Sequence, residues 1–464
     1  MSKDLRYFMN KISNEAPEEL LVVEKEVDVN LELTAVLRKL QHEKKAPAVL
    51  FKNVKGYEMP VISNVLGNRK KLALTLETSE EEMLAEYIKR EDARIKPVMV
   101  DSGPVQDVIM TGDEVDLAKI PVVVNCEKDS GAFITIGITV VKDPETGIRN
   151  SGVYRMMVLG KNTLGMSYEK HTHIGHVHRK MIAQNKPLEV VTFIGHHPAC
   201  MIGSQSKVPF GVDEWEVMGG MMQEPLEIVK CKTVDLEVPA WAEMAIEGVI
   251  YPDEVAPEGP FGEYTWYYGL ERRSPVMHVT AITHRKDAIY QHLFAAHPEH
   301  NYTGQLGRES VLFKRVQAIT PSVKNVHMPI HGTCRFTAFV QIAKEYDGEG
   351  KLAAIGALAS DSFMKMVVVV DKDINIFDDS EVLWAVATRT QPDRAIFLIP
   401  EAAGSRLDPA SYSIWNRVEK DSLTTKIAID ATMPIESPFE ERADVPKEMW
   451  ENMNLADYIK DYKG

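Results

Sequence analysis

The stretch Glu258-Gly259-Pro260-Phe261-Gly262-Glu263-Tyr264 places two carboxylates five residues apart around a Gly-Pro-Phe-Gly turn. Proline fixes its own φ, and glycine permits tight or left-handed backbone. Such a turn packs a core poorly, but it can hold two acids at the edge of a pocket, where one serves as a base and the other as an acid. Taken alone, the pattern is more often an exposed acidic turn, so other segments must decide.

Two further segments help to interpret residues 258–264. The first runs Asn150-Ser151-Gly152-Val153-Tyr154-Arg155 and continues to Met166. The second runs Gly211-Val212-Asp213-Glu214-Trp215-Glu216 and continues to Cys231. Together with residues 256–265 they resemble, in order and in spacing, the UbiD family of reversible, non-oxidative decarboxylases, which use prenylated FMN. The resemblance covers roughly residues 110–435 and extends into the N-terminal region. Because three segments are in register, it is more specific than a single short motif.

The resemblance implies an α+β multidomain fold, with a central split β-barrel domain that binds the flavin between an N-terminal and a C-terminal α/β domain. The pattern of helix and strand signals places these domains at residues 1–105, 106–310 and 311–464, the last ending in a polar tail. The resemblance also implies that the C-terminal domain makes subunit contacts, in a homodimer or a homohexamer.

Apolar periodicity predicts individual elements inside these domains. One helix begins at the capping box Ser79-Glu80-Glu81-Glu82 and runs to about Arg90. Other helices are predicted at residues 31–42, within 168–184, and at 351–359 and 381–389. Strands are predicted at residues 48–51, 72–76, 133–141, 277–282, 366–370 and 395–399. The unbroken apolar run at 366–370 is typical of a strand covered on both faces.

Composition limits the partners and the compartment. The 464 residues carry 53 basic and 68 acidic side chains, a net charge of −15, which argues against nucleic acid as a partner but not against a small acidic substrate. The four cysteines form no CxxC pair, so a zinc or redox motif is not indicated, and their scatter suits a reducing cytoplasm. We expect no membrane span, since no apolar run approaches the roughly 20 residues that one needs, and no secretion signal.

Arg155, Glu258 and Glu263 are the predicted catalytic residues. An arginine can hold a substrate carboxylate with two hydrogen bonds, although a lone arginine is more often part of a surface ion pair. The UbiD resemblance implies that the three act together. No side chain is a good electron sink for the electrons that departing CO2 leaves on carbon, so a cofactor is required. We expect Arg155 to orient the carboxylate and keep Glu258 ionised.

Glu263 is the expected proton donor to that carbon. This role favours a raised pKa, which we expect from desolvation among Phe261, Tyr264 and Trp266. The family often has glycine where this chain has Trp266, which could stack on an aromatic substrate or fill a gap in the core.

The resemblance further implies a divalent ion at the flavin phosphate, Mn2+ or Mg2+, bound by Asn150, His173 and Glu214, and also a potassium ion beside the flavin. Such nitrogen and oxygen ligands suit these metals better than zinc. Glu216 remains an alternative to Glu214. The neighbouring His171, His176 and His178 are more typical of a solvated helix face. The remaining residues expected along the cofactor are Ser151, Val153, Tyr154, Arg155, Met166, Ser167 and Lys426. Lys426 would pair with phosphate or a carboxylate, or would be an ordinary lysine on an edge strand.

The predicted reaction is the reversible decarboxylation of an aromatic or heteroaromatic acid, such as a hydroxybenzoate or a furan or pyrrole carboxylate, with release of CO2. His292, His297 and His300 are candidates for lining the substrate pocket, against the simpler interpretation of surface or capping histidines. The alternatives are a polyprenyl hydroxybenzoate or an α,β-unsaturated aliphatic acid as substrate, or a noncatalytic flavin-binding subunit. A metal hydrolase is disfavoured, because GxSxG, P-loop and HExxH motifs are missing. A separate flavin prenyltransferase is implied as the source of the cofactor.

Overall fold

The computed structural model describes residues 3–411, 422–460 and 462. Its first elements form a small α/β unit. They are α1 Leu5–Glu15, β1 Leu20–Val23, α2 Glu32–His42, β2 Ala48–Phe51, β3 Val61–Ser63, α3 Arg69–Leu76 and α4 Met83–Asp92. Strands β1, β2 and β3 form a sheet whose fourth strand, β18 at Tyr290–His292, comes from much later in the chain. This return ties the start of the chain to the middle.

One predicted strand in this unit is wrong. Residues 72–76 lie in helix α3 and not in a strand. Asn68 caps the helix, its side chain accepting a hydrogen bond from Lys71 N, and Leu72 and Leu76 are four residues apart, on one buried face. The capping box is present as a hydrogen bond from Glu82 N to Ser79 Oγ of 3.3 Å, but the helix that follows, α4, begins only at Met83.

The middle of the chain is rich in strands. The elements are β4 Val98–Met99, β5 Val108–Thr111, β6 Phe133–Ile134, β7 Ile138–Lys142, β8 Arg149–Val153, β9 Met156–Gly160, β10 Thr163–Met166, α5 His173–Ala183, β11 Leu188–Ile194, α6 Pro198–Ser204, α7 Glu214–Met222, β12 Glu227–Lys230, β13 Glu237–Pro239, β14 Met244–Glu258, β15 Phe261–Gly262, β16 Tyr268–Gly269, β17 Arg272–His284, β18 and α8 Pro298–Thr303. Helix α5 lies inside the segment 168–184 that was predicted to contain one.

Nine of these strands share one sheet. Eight follow the order β6-β9-β10-β17-β14-β11-β7-β8, and β5 pairs with the last four residues of β17. The predicted strand at 133–141 is divided, because the backbone leaves the sheet between Ile134 and Ile138, where Thr135 Oγ1 donates to Leu293 O over 2.7 Å. Its two parts, β6 and β7, pair with different neighbours. Among the described residues the sheet ends at β6 and β8 without closing, so the split barrel stays a prediction.

The last part of the chain returns to α/β structure. Its elements are α9 Gln305–Ile319, β19 Val323–His327, β20 Thr337–Ile342, α10 Glu349–Leu358, β21 Met366–Asp371, α11 Asp379–Arg389, α12 Pro392–Ala395, β22 Ile396–Ala403, β23 Leu423–Ala431 and α13 Lys447–Trp450. The sheet order is β19-β20-β21-β23-β22. As its apolar run predicted, β21 is buried on both faces, against α10 and α11.

The final segment is exposed in this chain. Met449, Trp450, Tyr458 and Ile459 are large apolar residues at the surface. None of the helices in the described ranges is long and apolar enough to cross a membrane.

Trp215 anchors helix α7 in the core. Its side chain is fully buried, its ring lies edge-on to Phe193 at 6.4 Å, and the Arg149 guanidinium lies 4.7 Å from the ring centroid. We expect Trp215→Ala to lower the free energy of unfolding by about 3–5 kcal/mol through the cavity it leaves, as measured by urea denaturation. The control Trp450→Ala, at a site 48% exposed, should change it by less than about 0.5 kcal/mol. Equal effects would show that Trp215 does not anchor the helix.

Candidate active site

Arg155 lies in the link between β8 and β9 and binds both predicted catalytic glutamates. Its Nε donates to Glu258 Oε1 over 2.8 Å and its Nη2 to Glu258 Oε2 over 3.0 Å, a bidentate pair. Its Nη1 donates to Glu263 Oε1. The structure therefore brings the three residues together, although Arg155 is more than 100 residues away along the chain.

The turn after Glu258 has the geometry that its glycines and proline suggested. Glu258 ends β14, Gly259 has a φ of +89° that favours glycine, and Gly262 N donates to Asp129 Oδ1 over 2.8 Å. The Phe261 ring is buried, with the Arg155 guanidinium 4.7 Å from its centroid. The turn thus holds Glu263 on the same guanidinium as Glu258.

Glu258 is fully buried and is held ionised by its neighbours. Burial alone would raise its pKa, but the hydrogen bonds and charge of Arg155, together with Arg272, bring the pKa of this carboxyl below its ordinary value. Arg272 Nε donates to Glu258 Oε2 over 3.2 Å, and Ser274 Oγ lies 3.4 Å from the same oxygen. The expected effect of Arg155 on Glu258 is therefore present in the structure.

Asn150, His173 and Glu214 converge at the opposite end of β8. Asn150 Nδ2 lies 2.9 Å from Glu214 Oε1 and 3.2 Å from His173 Nδ1, and His173 Nδ1 lies 3.6 Å from Glu214 Oε1. Ser151 N donates to Glu214 Oε2 over 2.8 Å. The three candidate ligands are thus neighbours, and their role as metal ligands stays a prediction.

The position of Glu214 follows from its helix. Asp213 caps α7, its side chain accepting from Trp215 N, and forms an ion pair of 2.8 Å with Arg149. Glu214, in the first turn, is 2% exposed and faces Asn150. Glu216 instead lines a separate cleft with Arg94 and Arg149, so the geometry favours Glu214 over Glu216.

The donor set can be tested for its fit to a divalent ion and a flavin. Asn150 Oδ1 and Ser151 Oγ are buried and have no hydrogen-bond partner within the described part of the chain. Such buried polar atoms are costly unless a ligand satisfies them. The same part of the chain holds no cluster of three or more His, Cys, Asp or Glu side chains suited to a metal, so an amide oxygen must complete any site here. The oxygen and imidazole donors fit Mn2+ or Mg2+ together with an anionic cofactor group.

The other residues predicted to line the cofactor divide into two groups. Val153 and Tyr154 continue from Ser151 toward Arg155. Met166 is buried at the end of β10, and the next residue, Ser167, is also buried and donates its N–H to Arg155 O. Lys426 lies elsewhere: its Nζ donates to the carbonyl oxygens of Leu358, Asp361 and Ser362. Its strand β23 lies between β21 and β22, so the edge-strand alternative is wrong.

Several expectations about aromatic and histidine residues need correction. Trp266 is 48% exposed, with a φ of +64°, so it neither fills a core gap nor helps to bury Glu263. His178 is buried and bonded to the Tyr168 hydroxyl, and is not on a solvated helix face. His292 and His297 are not surface residues either. His292 bonds to Ser63 and Asn125, whereas His300 lies edge-on to Tyr264.

Sequence reasoning missed several charged residues near the site. Arg272 faces Glu258 directly, as its partner in the pairing of β14 with β17. The signal was present, since the turn after Glu258 predicts a hairpin whose return strand carries Arg272. Arg335 and Arg308 come from the C-terminal part of the chain and had no local signal.

Comparison with known proteins identifies the family of the chain. Three family profiles match in order: the N-terminal domain of 3-octaprenyl-4-hydroxybenzoate carboxy-lyase at residues 14–91, its Rift-related domain at 96–298 and its C-terminal domain at 301–431. The chain belongs to the UbiD family. The predictions that the chain is a member of this family and that it is a carboxy-lyase are confirmed.

Individual UbiD relatives match over nearly their whole length. Anhydromevalonate phosphate decarboxylase of Methanothermobacter thermautotrophicus is 35% identical over 433 residues, covering 93% of this chain and 97% of that protein. The UbiD-class enzyme HmfF from Pelotomaculum thermopropionicum in complex with FMN has a TM-score of 0.91 and 38% identity, covering 98% of this chain and 100% of that one. An evolved dimeric form of HmfF in complex with prFMN has a TM-score of 0.89 and 36% identity, covering 99% and 100%.

A more distant structure has the same overall shape. Klebsiella pneumoniae 3,4-dihydroxybenzoic acid decarboxylase, AroY, has a TM-score of 0.90 and 28% identity, covering 100% of both chains. With HmfF, it confirms the mixed α+β multidomain fold.

Arg155→Met should change how the free energy of unfolding depends on pH. In the wild type the pKa of Glu258 lies below its ordinary 4.5, so its contribution is present above pH 4.5 and is lost as the pH falls through the lowered value. Without Arg155, Arg272 is the remaining cation at Glu258, so burial should raise this pKa, and the loss of the bidentate partner should cost about 3 kcal/mol at neutral pH. The difference in unfolding free energy from wild type should therefore shrink below about pH 4.5, as measured by urea denaturation.

The exposed Arg273→Met is the matched control, since within the described ranges the Arg273 side chain bonds only to the Val255 carbonyl. A difference for Arg155→Met that stayed constant with pH would mean that Glu258 does not depend on Arg155 for its charge.

Proposed function

We propose that this UbiD-family chain decarboxylates a small aromatic or heteroaromatic acid, reversibly and without oxidation, using prenylated FMN. The supporting observation is the buried set in which one guanidinium binds both Glu258 and Glu263. Relatives of similar fold support the class, because HmfF has been solved with FMN and with prFMN, and AroY is a 3,4-dihydroxybenzoic acid decarboxylase.

Each residue of the set has a role in the proposed reaction. Arg155 lies at the pocket with its charge shared between two carboxylates, and it orients the substrate carboxylate. Glu258 is kept ionised by Arg155 and Arg272. Glu263, which binds Arg155 through a single oxygen, is then the group that delivers a proton to the carbon that loses CO2. In the reverse direction the same group takes that proton back.

The cofactor is held by β8 and its neighbours in this proposal. Asn150, His173 and Glu214 would hold Mn2+ or Mg2+, whose charge would help to bind the anionic flavin phosphate, while Ser151 and the backbone as far as Tyr154 would line the flavin. Bound prenylated FMN supplies the electron sink that the side chains lack. Lys426 and a potassium ion have no supporting contact at this site among the described residues.

The surroundings of Glu263 favour a small polar substrate. His300, Arg335 and Tyr264 pack against one another there. A polyprenyl chain would offer these polar groups no hydrogen-bond partner. An α,β-unsaturated aliphatic acid is the second candidate, because a relative 35% identical to this chain is an anhydromevalonate phosphate decarboxylase.

The proposal extends to the setting of the enzyme. The division at about residues 105 and 310 into N-terminal, flavin-binding and C-terminal domains remains our proposal. Four free cysteines support a cytoplasmic location. The exposed apolar residues of the final segment support a homodimer or homohexamer, and a flavin prenyltransferase would supply the cofactor.

Glu263→Gln should lower CO2 release by at least about a hundredfold, because the proton donor is lost, while the flavin stays bound. The protein is to be co-expressed with a flavin prenyltransferase and assayed on aromatic, heteroaromatic and acrylic acids, with the absorption and mass spectra of the bound cofactor recorded. Glu271→Gln, an exposed glutamate of the same hairpin, is the matched control. Normal turnover by Glu263→Gln would refute the role, and a flavin-loaded wild type that decarboxylates no acid would favour the noncatalytic subunit.

Glu214→Gln should reduce bound manganese and retained flavin by at least about tenfold, because it removes the carboxylate from the donor set. Metal content by mass spectrometry and flavin absorbance after gel filtration measure both. Glu216→Gln, two residues away and facing another cleft, should retain both. Loss of metal and flavin in Glu216→Gln but not in Glu214→Gln would show that Glu216 is the metal ligand.

A further inference from the structure

The loop at residues 126–130 contacts the Gly-Pro-Phe-Gly turn of the active site. Asp129 Oδ1 accepts a hydrogen bond of 2.8 Å from Gly262 N, one residue before the proposed proton donor. Ser130 N donates to Pro260 O over 3.0 Å, and Ser130 Oγ lies 3.4 Å from the same oxygen. The loop therefore holds the turn at two backbone positions.

The Asp129 carboxylate joins this loop to the turn. Its Oδ2 accepts from Cys126 N over 2.9 Å, and Asp129 N donates to Cys126 O over 3.0 Å. One carboxylate oxygen thus binds the loop itself, and the other binds the turn. Lys128 N donates to the Tyr268 hydroxyl over 3.1 Å, on the strand β16 that pairs with β15. The loop therefore contacts both strands of this small hairpin.

Close packing restricts both the loop and the turn. A Cβ atom at Gly262 would lie 2.8 Å from the Cys126 sulfur, so the two segments approach closely enough to require glycine. Just after the loop, the centroid of the Phe133 ring lies 4.5 Å from that of Phe261. The Arg155 guanidinium packs on the same Phe261 ring. A displacement of the turn would therefore also disturb the contact with Arg155.

Arg155 fixes Glu263 only at the end of its side chain, through Oε1. The backbone of Glu263 takes its position from Gly262, which Asp129 binds. Burial raises the pKa of Asp129, and its backbone hydrogen bonds and the charge of Arg155 oppose that rise. Asp129 therefore faces the same guanidinium as Glu263. Because a misplacement of about 1 Å can lower a rate about a hundredfold, the contact with Gly262 bears directly on proton transfer.

We propose that Asp129 is a positioning residue for the proton donor, setting through Gly262 N the distance from the Glu263 carboxyl to the carbon that loses CO2. The inference rests on the proposed function and adds a residue to it. Asp129 acts through the backbone of the turn and transfers no proton itself. Its loss should therefore slow the proton step, while binding of the acid and departure of CO2, which depend on Arg155 and Glu258, change much less.

Amide hydrogen exchange, followed by mass spectrometry of peptides, tests the placement of the turn without turnover. In flavin-loaded Asp129→Ala, peptides covering residues 259–269 should take up deuterium at least about tenfold faster than in the wild type, because Gly262 N loses its acceptor. Peptides of α7, at Glu214–Met222, should exchange as in the wild type if the rest of the fold is intact. Glu127→Ala is the matched control, at an exposed glutamate whose side chain forms no hydrogen bond or ion pair with the described residues, and it should change neither.

Two isotope exchanges then separate positioning from a general loss of structure. With an acid that the wild type decarboxylates, entry of deuterium from deuterium oxide into the product requires the proton step. Entry of labelled CO2 from isotope-labelled bicarbonate into the acid requires only that the bond to carbon break and re-form. Asp129→Ala should slow the deuterium exchange at least about tenfold more than the CO2 exchange, and lower kcat about a hundredfold with KM within about threefold. Asp129→Asn, which keeps one acceptor oxygen, should lie between the wild type and Asp129→Ala.

The outcomes separate this inference from the proposed function. Unchanged protection of the turn in Asp129→Ala would overturn the inference, and so would two isotope exchanges slowed by the same factor. If the wild type released CO2 from none of the acids, the proposed function would fail. Amide exchange would then decide alone, with local loss of protection supporting the role of Asp129 in placing Glu263 and unchanged protection refuting it.

Discussion

Arg155 and Glu258 form two hydrogen bonds away from water, and the geometry of the site depends on this pair. A fully buried carboxylate is stable as an ion only when its partners offset the lost hydration. Here Arg155 does so from the link between β8 and β9, and Arg272 from the start of β17. The pair thereby fixes the end of β14, where the turn that carries Glu263 begins. The third carboxylate contact of Arg155 is thus a consequence of the first two.

A second buried carboxylate fixes the other end of β8. Glu214 accepts from Asn150 and from the Ser151 backbone, and it reaches them because Asp213 and Trp215 hold the start of α7 in place. Extended backbone rises about 3.3 Å per residue, so Asn150 and Arg155, five residues apart, are separated by at most roughly 17 Å. One short strand therefore joins the metal-type donors to the catalytic set. This distance suits the proposal that a single extended cofactor contacts both.

The features that could be predicted from the sequence are those encoded within one short segment of the chain. The Gly-Pro-Phe-Gly turn, the Asn150 to Arg155 segment and the long apolar strands carry their own local signals. Residues 72–76 were predicted as a strand because five apolar and β-branched residues are compatible with a strand or a helix. The N-cap Asn68, four residues upstream, favours the helix that the structure shows. Trp266 was misjudged because its exposure follows from a left-handed turn position that no pattern revealed. Arg308 and Arg335 could not be placed, since only tertiary packing brings the C-terminal part of the chain to Tyr264.

The charges of the pocket are unevenly distributed, and this constrains the ligand more than its shape does. Around Arg155 the carboxylates of Glu258 and Glu263 face two arginines, so the catalytic end is near balance. Around Tyr264, Arg335 lies over the ring and Arg308 pairs with Asp361, so this end carries more positive than negative charge. An apolar ligand would leave that charge without compensation, whereas a polar ligand would supply acceptors for it.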